Sequence, residues 1–306
     1  MLHAEADAVD QANVVSFDVF DTLIVRRCVT PESLWRQVSC AIQKSGACSL
    51  PASVIYTSRI DAETKCRDSS PTGEVTLNEI TCEMVKLLGL KDTFAPTLSS
   101  IEESVELSVG CANPKLLKLA WRSYEEGKRI IYLTDTYHSS DFIRQLLGSC
   151  GFPIEGTTIY ASGELKLSKG RGDIFPAIVE VEGSDPSKIV HIGNHPRADF
   201  TNARHAGINS ALVELANPTQ YELDLDATSK FRTEFGAKIS GASRMSRIVF
   251  SGDGESKGEL TDIAADLVAP TFVPFVMWIL AQSRRQHLKR LYFQSTGCSG
   301  IDADHA

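Results

Sequence analysis

Apolar and polar positions alternate in a regular way between residues 113 and 213. Short apolar runs are separated by longer stretches in which apolar residues recur at helical spacing. The run Val14–Phe17 has the same character as these short runs and is followed by Asp18. Strands and helices that alternate in this way predict an α/β fold with a doubly wound, Rossmann-like parallel sheet. The later predicted strands lie at 129–133, 158–160, 189–192 and 210–213.

The pattern between residues 28 and 110 is helical, and no strand pattern interrupts it. Thr30 and Pro31 predict a helix start, because threonine caps a helix and proline fits its first turn. Thr76 and Glu79 have the spacing of a capping box. We therefore expect helices to be inserted into the sheet domain. The predicted units are an α/β core (1–27 and 111–213), a helical insertion (28–110) and a C-terminal extension (214–306).

The C-terminal extension carries weaker patterns. Residues 214–258 are polar and predict a linker with room for one helix, whereas 260–286 predict an apolar helix. Leu291–Phe293 has the character of a strand. The uncharged segment Leu267–Ala281 is shorter than the roughly 20 residues of a bilayer span and contains two prolines, so membrane contact is not expected. Apolar residues cover most of this helix, which predicts that it packs on the protein or joins copies of the chain into a homo-oligomer.

Composition narrows the class of protein. The formal net charge of −8 argues against nucleic-acid binding, which needs clustered lysine and arginine. The eight cysteines are scattered and form no C-x-x-C pair, which indicates reduced thiols and no zinc site. Residues 1–13 lack the basic flank and the apolar centre of a signal peptide. We therefore expect a cytoplasmic protein.

Reactive polar side chains collect at the ends of the predicted strands. In a doubly wound sheet these ends share one crevice, where such folds bind their ligands. A carboxylate, a hydroxyl, an ammonium group and a second acidic or amide cluster would meet there. Phosphoryl transfer needs a nucleophile, a cation that holds the phosphoryl oxygens, and a divalent metal, for which Mg²⁺ suits oxygen ligands. The four stretches are Phe17–Leu23, Tyr132–Asp135, Lys169–Phe175 and His191–Asp199.

These stretches resemble the motifs of the haloacid dehalogenase (HAD) superfamily, and the resemblance covers residues 14–213. The chain is most similar to the branch whose first motif reads Phe-Asp-x-Phe-Asp-Thr-Leu. The resemblance implies that Asp18 is the nucleophile and that Thr134 holds a phosphoryl oxygen. It implies that Lys169 neutralises the charges of the nucleophile and the phosphate together. It also implies that the helical insertion is the family's cap, which selects the substrate. The Mg²⁺ ligands that it implies are Asp18, the main-chain carbonyl of Phe20, Asn194 and Asp199.

Two positions depart from the family's phosphatase pattern, Asp-x-Asp-x-Thr. The second aspartate of that pattern, its general acid and base, is Phe20 in this chain, and Asn194 replaces the commoner aspartate ligand. Asp21 could supply the missing acid if its side chain turned inward, although a local turn hydrogen bond is the simpler interpretation. Thr22 and Arg26, beside the first motif, are candidate substrate contacts.

Other residues compete for these roles. Lys166 and Arg171 are alternatives to Lys169 as the cation that holds the phosphate. His191 and His195 flank the fourth motif, but a structural role is the simpler interpretation of each.

Two functions from different classes fit the sequence. The first is a Mg²⁺-dependent phosphoryl hydrolase that acts through an aspartyl phosphate on a small phosphorylated metabolite, such as a sugar phosphate. The alternative is a HAD-like module without turnover that serves as a binding or scaffold domain in a glycan-assembly pathway. Phe20 and Asn194 favour the second function, whereas the retained nucleophile, hydroxyl, lysine and Asp199 favour the first.

Overall fold

The structure, a computed structural model, describes residues 9–229, 231, 235–250, 263–264 and 268–292. Five of the strands in this part of the chain form a parallel sheet, and the other two form an antiparallel pair. The doubly wound parallel sheet is thus confirmed, and each predicted strand of it lies close to its observed bounds. The strands are β1 (Val14–Phe17), β2 (Ile24–Arg26), β3 (Gly110–Ala112), β4 (Arg129–Thr134), β5 (Thr158–Ala161), β6 (Ile189–Gly193) and β7 (Asn209–Leu212).

Helices connect these strands and continue after β7. The α-helices are α1 (Pro31–Ser45), α2 (Ala52–Ser69), α3 (Leu77–Leu87), α4 (Ala95–Val109), α5 (Pro114–Glu125), α6 (Ser140–Ser149), α7 (Ser162–Leu165), α8 (Ile174–Glu182), α9 (Asn202–His205), α10 (Gln220–Ala227), α11 (Phe235–Phe250) and α12 (Ala269–Arg285). A π-helical turn, Pro196–Thr201, precedes α9.

The parallel sheet has the order β5-β4-β1-β6-β7, so that β1 is its central strand. Consecutive residues of a strand point to opposite sides of the sheet, and both sides are buried. Val15 and Phe17 of β1 pack with Tyr132 and with helix α6 on one face. Val14 packs on the other face with Phe175 of α8. This burial explains why the strands are apolar runs, and it places their carboxyl ends along one edge.

The helical insertion consists of α1 to α4 and leaves the sheet domain through the antiparallel pair β2 and β3. The apolar faces of its helices form a core of their own, which includes Leu34, Ile55 and Met84. The capping box of Thr76 and Glu79 is confirmed at the start of α3. Neither β2 nor β3 was predicted, since three residues are too few to show a strand pattern.

The insertion lies directly over the carboxyl edge of the sheet. The main-chain N–H of Leu77 donates to the carbonyl of Tyr137, just after β4, at 2.7 Å. Gly163 on α7 is wedged between two main-chain carbonyls, those of Val75 in the insertion and Thr136 in the core, and a Cβ there would overlap both. The insertion is therefore held close over the strand ends that carry the predicted site.

The segment after β7 differs from the linker that its polar composition predicted. It forms two helices, α10 and α11, and several of their polar side chains are buried in ion pairs and hydrogen bonds instead of being solvated. Asp226 accepts hydrogen bonds from the hydroxyls of Thr30 and Ser33, each at 2.6 Å. Arg247 binds Glu222 at 2.9 Å. Apolar periodicity could not reveal these helices, because much of their contact with the protein is polar.

Helix α12 confirms the predicted apolar helix over residues 269–285 but not its burial. Phe272, Phe275 and Trp278 are more than half exposed. These side chains are therefore not buried against the described part of the protein, although α12 contacts α11, and the expectation that the helix packs on the protein or joins copies of the chain stays a prediction. In the described part of the chain, no helix combines the length and apolar character of a bilayer span. Leu291 and Tyr292 are not in a strand, and Phe293 lies outside the described residues.

Candidate active site

Asp18 lies at the carboxyl end of the central strand, β1. Its main-chain N–H donates to the carbonyl of Ile192 on β6 at 2.8 Å, which extends the sheet pairing. Asp18 is 5% exposed, and its Oδ2 has no hydrogen-bond partner among the described residues. Burial raises the pKa of Asp18 to about 7, although Lys169 and Thr22 oppose this rise. One oxygen of a buried carboxylate is thus left without a hydrogen bond.

The ammonium group of Lys169 joins two carboxylates. Its Nζ lies 2.5 Å from Asp18 Oδ1 and 2.6 Å from Asp199 Oδ1. Asp135, which follows β4, fixes the lysine loop by accepting hydrogen bonds from the main-chain N–H groups of Lys169 at 2.9 Å and Gly170 at 3.0 Å. Burial opposes the charge on Lys169, but the carboxylates outweigh it and raise the pKa of the lysine. The ammonium group therefore stays charged beside Asp18.

The two alternative cations face the helical insertion instead. Lys166 Nζ lies 2.9 Å from Glu79 Oε2 at the start of α3. Arg171 donates to the main-chain carbonyl of Thr72, which also belongs to the insertion. Of the three basic residues in this loop, Lys169 is the one placed next to Asp18.

Asp199 is held by a chain of buried polar groups that the sequence analysis did not identify. Its Oδ1 also lies 3.1 Å from His191 Nε2, and His191 Nδ1 lies 2.8 Å from the hydroxyl of Ser16. Burial lowers the pKa of His191, so the neutral ring donates from Nε2 to Asp199 and accepts from Ser16. Burial opposes the charge on Asp199, but Lys169 and His191 outweigh it and hold its pKa well below the usual range. His191 therefore positions a carboxylate.

Gly193 allows Asp199 to reach this position. The glycine ends β6, and a Cβ at residue 193 would overlap the carboxyl group of Asp199. The π-helical turn then folds back so that Asp199 Oδ2 accepts a hydrogen bond from the main-chain N–H of His195 at 2.8 Å.

We predict that Gly193→Ala destabilises the protein by about 1–3 kcal/mol and displaces Asp199, because the site has no room for a methyl group. Gly148→Ala is a matched control, since a Cβ in α6 would meet Ile154 at an ordinary 3.6 Å. That control should be neutral or stabilising by up to about 1 kcal/mol, as alanine favours a helix. Urea unfolding compares the two variants, and equal stabilities would contradict the close approach.

Asn194 lies beside the first motif. Its Oδ1 accepts a hydrogen bond from the Thr22 hydroxyl at 3.4 Å, and its Nδ2 donates to Asn217 Oδ1 at 2.7 Å. Asn217 follows β7 and was not identified from the sequence. The amide oxygen of Asn194 is thus turned towards the loop that carries Asp18, and Thr22 is bound to Asn194 and fully buried.

Thr134 ends β4, which is the neighbour of β1 in the sheet. Tyr132 pairs with Phe17, so Thr134 and Asp18 both lie just beyond this pair at the same edge. Thr134 is 1% exposed. The structure therefore brings the hydroxyl, the carboxylates and the ammonium group of the predicted site to one end of the sheet.

Phe20 occupies the position of the family's general acid. Its ring is covered by Arg26, whose guanidinium carbon lies 4.2 Å from the ring centre. Arg26 forms two hydrogen bonds with Glu106 of α4, at 2.6 and 3.1 Å. His138, after β4, lies with Nε2 3.7 Å from Glu106 Oε2. Arg26 therefore ties the sheet domain to the insertion beside Phe20, and its charge is compensated by a buried carboxylate.

The ion pair of Arg26 and Glu106 predicts a loss of stability in acid. Burial by itself would raise the pKa of Glu106, but Arg26 and His138 outweigh it and lower the pKa to about 2. A carboxyl with a lowered pKa stabilises the fold above its unfolded pKa of about 4.5, and this contribution is lost as the pH falls towards the folded pKa.

We expect Glu106→Gln to be less stable than the unmodified protein near neutral pH. The lowered pKa of Glu106 corresponds to a stabilisation of roughly 3 kcal/mol. The difference in the free energy of unfolding between the two proteins should therefore narrow by roughly 2 kcal/mol between about pH 5 and about pH 3. Urea unfolding of both proteins across this range measures the difference. A difference that does not change with pH would contradict the assigned pKa.

Asp21 adopts a left-handed backbone conformation, with φ of 58°, in the loop between Asp18 and β2. Its carboxylate is paired with Arg244 of α11, which is fully buried. Sequence analysis named Asp21 as a candidate acid but did not identify its partner, which is 223 residues away along the chain. In this structure the Asp21 side chain is engaged by an arginine.

The cluster around Asp18 is enclosed. Thr22, Thr134, Lys169 and Asp199 are each less than 5% exposed. Two cavities, of about 430 and 460 Å³, lie along the helical insertion, and neither is lined by Asp18 or Lys169.

Comparison with known proteins gives matches to solved structures. The chain is similar to a 2-haloacid dehalogenase from Pseudomonas syringae pv. tomato DC3000, with a TM-score of 0.50 and 15% identity over 68% of this chain and 89% of that chain. It is also similar to an L-2-haloacid dehalogenase from Xanthobacter autotrophicus, with a TM-score of 0.46 and 13% identity over 83% and 98%. A HAD family enzyme from Bacteroides thetaiotaomicron, solved with magnesium and inorganic phosphate, matches with a TM-score of 0.44 and 16% identity over 69% and 98%.

No protein-family model matches the sequence, and no curated protein matches it significantly. The match to the Pseudomonas enzyme shows the fold, since its identity is too low to carry an activity across. The chain therefore has the haloacid dehalogenase fold, and the resemblance inferred from the four motifs is confirmed at that level.

Proposed function

We propose that this protein is a Mg²⁺-dependent phosphoryl hydrolase that uses Asp18 as its nucleophile. The observation that carries the proposal is the state of the Asp18 carboxylate: Lys169 holds Oδ1, while Oδ2 is buried and accepts no hydrogen bond from the described residues. Leaving a buried carboxylate oxygen unpaired is costly, so a functional role explains it better than a structural one. Lys169 favours the ionised form of this carboxylate, which is the form that attacks.

The roles of the surrounding groups follow from charge and position. Lys169 would bind the transferred phosphoryl group together with the nucleophile, because an ammonium group stabilises the negative charge of the transition state. Thr134, at the same edge, would donate a hydrogen bond to a phosphoryl oxygen. Burial of the whole cluster strengthens these interactions by excluding water.

The donor atoms at this edge fit a hard cation such as Mg²⁺, which prefers oxygen ligands. We propose Asp18, Asp199 and Asn194 as side-chain ligands, together with the main-chain carbonyl of Phe20. Asp18 Oδ2 has no hydrogen-bond partner among the described residues, and Asp199 Oδ2 accepts the hydrogen bond from the main-chain N–H of His195, so both oxygens keep a lone pair for a metal. Bound there, Mg²⁺ would neutralise charge on the phosphoryl group.

The substrate class follows from Phe20. Phenylalanine cannot protonate a leaving oxygen, and general acid catalysis is typically worth about 10²–10⁴-fold in rate. We therefore propose a small phosphorylated metabolite with a good leaving group, such as an acyl phosphate or an anomeric sugar phosphate. Thr22 and Arg26 would contact this substrate from the first motif, Arg26 through the donors that Glu106 leaves free.

Dehalogenation of a 2-haloacid is a second candidate, and one observation favours it. Lys169 lies within hydrogen-bond distance of both Asp18 and Asp199, so a side-chain cation compensates these carboxylates. Both reactions would use Asp18 as the nucleophile, but the dehalogenation would not require Mg²⁺.

A substrate screen distinguishes these possibilities. The full chain is assayed against phosphorylated metabolites and 2-haloacids, each with added Mg²⁺ and with EDTA. The proposal predicts release of inorganic phosphate that EDTA abolishes. Halide release that is insensitive to EDTA would favour the dehalogenase. Absence of turnover on both sets would support a HAD-like binding module instead.

A further inference from the structure

We propose that Arg244, on helix α11 of the C-terminal extension, is a positioning residue for the reaction at Asp18. The inference rests on the proposed function, because it concerns the geometry of the same nucleophile. Arg244 does not belong to any of the four motifs, and it reaches the site from the segment that the sequence analysis described as a linker.

The loop that Arg244 contacts is the one that carries the nucleophile. It runs from Asp18 to β2 and turns back at Asp21, whose main-chain N–H donates to the carbonyl of Ile24 at 2.8 Å. Asp21 has a positive φ, a conformation that residues other than glycine adopt uncommonly. The turn also sets the direction of the Phe20 carbonyl. A residue that holds Asp21 therefore holds the neighbours of Asp18.

Arg244 is built into the protein for this contact. Its side chain is fully buried, an expensive placement for a guanidinium group unless it is paired. One end of the guanidinium binds the Asp21 carboxylate, and Nη1 donates to the main-chain carbonyl of Val29 at 3.3 Å. Arg244 thus joins the Asp18 loop to the segment where the chain enters the helical insertion.

Two further contacts anchor the helices at this place. Gly241 on α11 lies directly against the main chain of Arg27, and a Cβ at residue 241 would overlap its carbonyl. Asp226 on α10 binds Thr30 and Ser33 at the start of α1. The C-terminal helices therefore pack on both the nucleophile loop and the entry to the insertion, and Arg244 is the cation at their meeting point.

The expected consequence of losing Arg244 is misplacement of the nucleophile. In Arg244→Met, Asp21 has lost its partner, so its positive φ is less favoured and the loop shifts. Misplacement of reacting groups by about 1 Å costs on the order of 100-fold in rate. We expect kcat to fall by about 10- to 100-fold with little change in KM, since the contact orients the nucleophile instead of binding substrate.

The test uses a second change at Asp21. Glycine adopts a positive φ without strain, so Asp21→Gly should keep the loop in place, although the protein is less stable because the buried Arg244 loses its partner; activities are therefore compared at equal folded concentration. The probe is the hydrolysis of p-nitrophenyl phosphate in the presence of Mg²⁺. The Asp21→Gly variant should retain most of the activity of the unmodified protein. The double variant, which carries both Asp21→Gly and Arg244→Met, should have a kcat within about threefold of that of Asp21→Gly. Met245→Ala, on the same helix, is the control for general loosening of α11, and it should leave kcat unchanged.

Three kinetic results would overturn the inference. The first is unchanged kcat in Arg244→Met, and the second is a double variant as impaired as Arg244→Met alone. The third is an inactive Asp21→Gly protein, which would make Asp21 a direct participant. Hydrogen exchange adds a readout that needs no turnover: Arg244→Met should accelerate exchange of the amides at 18–24, and Met245→Ala should not. Unaltered exchange in Arg244→Met would overturn the inference, whereas a wild-type protein without turnover would contradict only the proposed function.

Discussion

Replacing Asp18 with asparagine is expected to abolish hydrolysis while the fold is retained. Asparagine has nearly the same shape as aspartate, but its amide is a poor nucleophile and a poor ligand for a hard cation. Loss of a nucleophile typically costs a thousandfold or more, so we expect a fall in kcat of at least about 10³-fold. The rate of phosphate release by the variant and by the unmodified protein, at equal folded concentration, measures this effect.

Asp185→Asn is a suitable control for Asp18→Asn. Asp185 caps a short turn by accepting a hydrogen bond from the main-chain N–H of Ser187 at 2.9 Å, before the amino end of β6, whereas the catalytic cluster lies at the carboxyl ends of the strands. This variant removes one carboxylate without touching the site, and its activity should be that of the unmodified protein. Substantial turnover in Asp18→Asn would refute the assignment of the nucleophile.

Removal of the Lys169 ammonium group is expected to have the largest effect on stability. In Lys169→Met the buried carboxylates of Asp18 and Asp199 lose the cation that compensates both. Breaking a buried ion pair by removing one partner typically costs about 3–5 kcal/mol, because a charge is left buried and uncompensated. The free energy of unfolding in urea should fall by about this amount, and activity should be lost as well.

Two further variants test the physical reason for that loss. Adding Asp18→Asn to Lys169→Met removes one of the stranded carboxylates, so the double variant should recover part of the lost stability. Lys166→Met removes a half-exposed cation from the same loop and should cost no more than about 1 kcal/mol. Equal losses for Lys166→Met and Lys169→Met would mean that the buried ammonium group is not what stabilises the cluster.

The part of the fold that could be predicted is the part stabilised by apolar burial. The strands of the parallel sheet are buried on both faces, so they appear in the sequence as apolar runs. The antiparallel pair β2 and β3 was missed because each strand is only three residues long. The segment that forms α10 and α11 was predicted to be a linker with room for one helix, because buried polar residues such as Asp226 and Arg244 resemble solvated ones in a hydropathy pattern.

The residues of the candidate site also divide into those that the strand pattern predicts and those that it does not. Asp18, Thr134, Lys169 and Asp199 could be predicted to meet because each follows or lies near the end of a strand. His191 was named from the sequence with a structural role as its simpler interpretation, and its contact with Ser16 could have been expected, since the two residues pair in register on β6 and β1.

Partners that are far apart along the chain left no signal in the sequence. Arg244 and Glu106 reach the first motif from separate helices, and neither shares a spacing pattern with the residue that it binds. Only the packing of the helices on the sheet brings them there. The sequence therefore indicated the chemical groups of the site but not the residues that hold them in place.

Direct detection of the covalent intermediate tests the central claim, that Asp18 is the nucleophile of a phosphoryl hydrolase. The full chain is mixed with acetyl phosphate and Mg²⁺, quenched rapidly during turnover, and treated with borohydride, which reduces an acyl phosphate to an alcohol. Mass spectrometry then locates the modified residue. The account predicts that Asp18 is converted to homoserine and that EDTA prevents the conversion. Conversion of a different carboxylate, or turnover in which Asp18 is never modified, would contradict it.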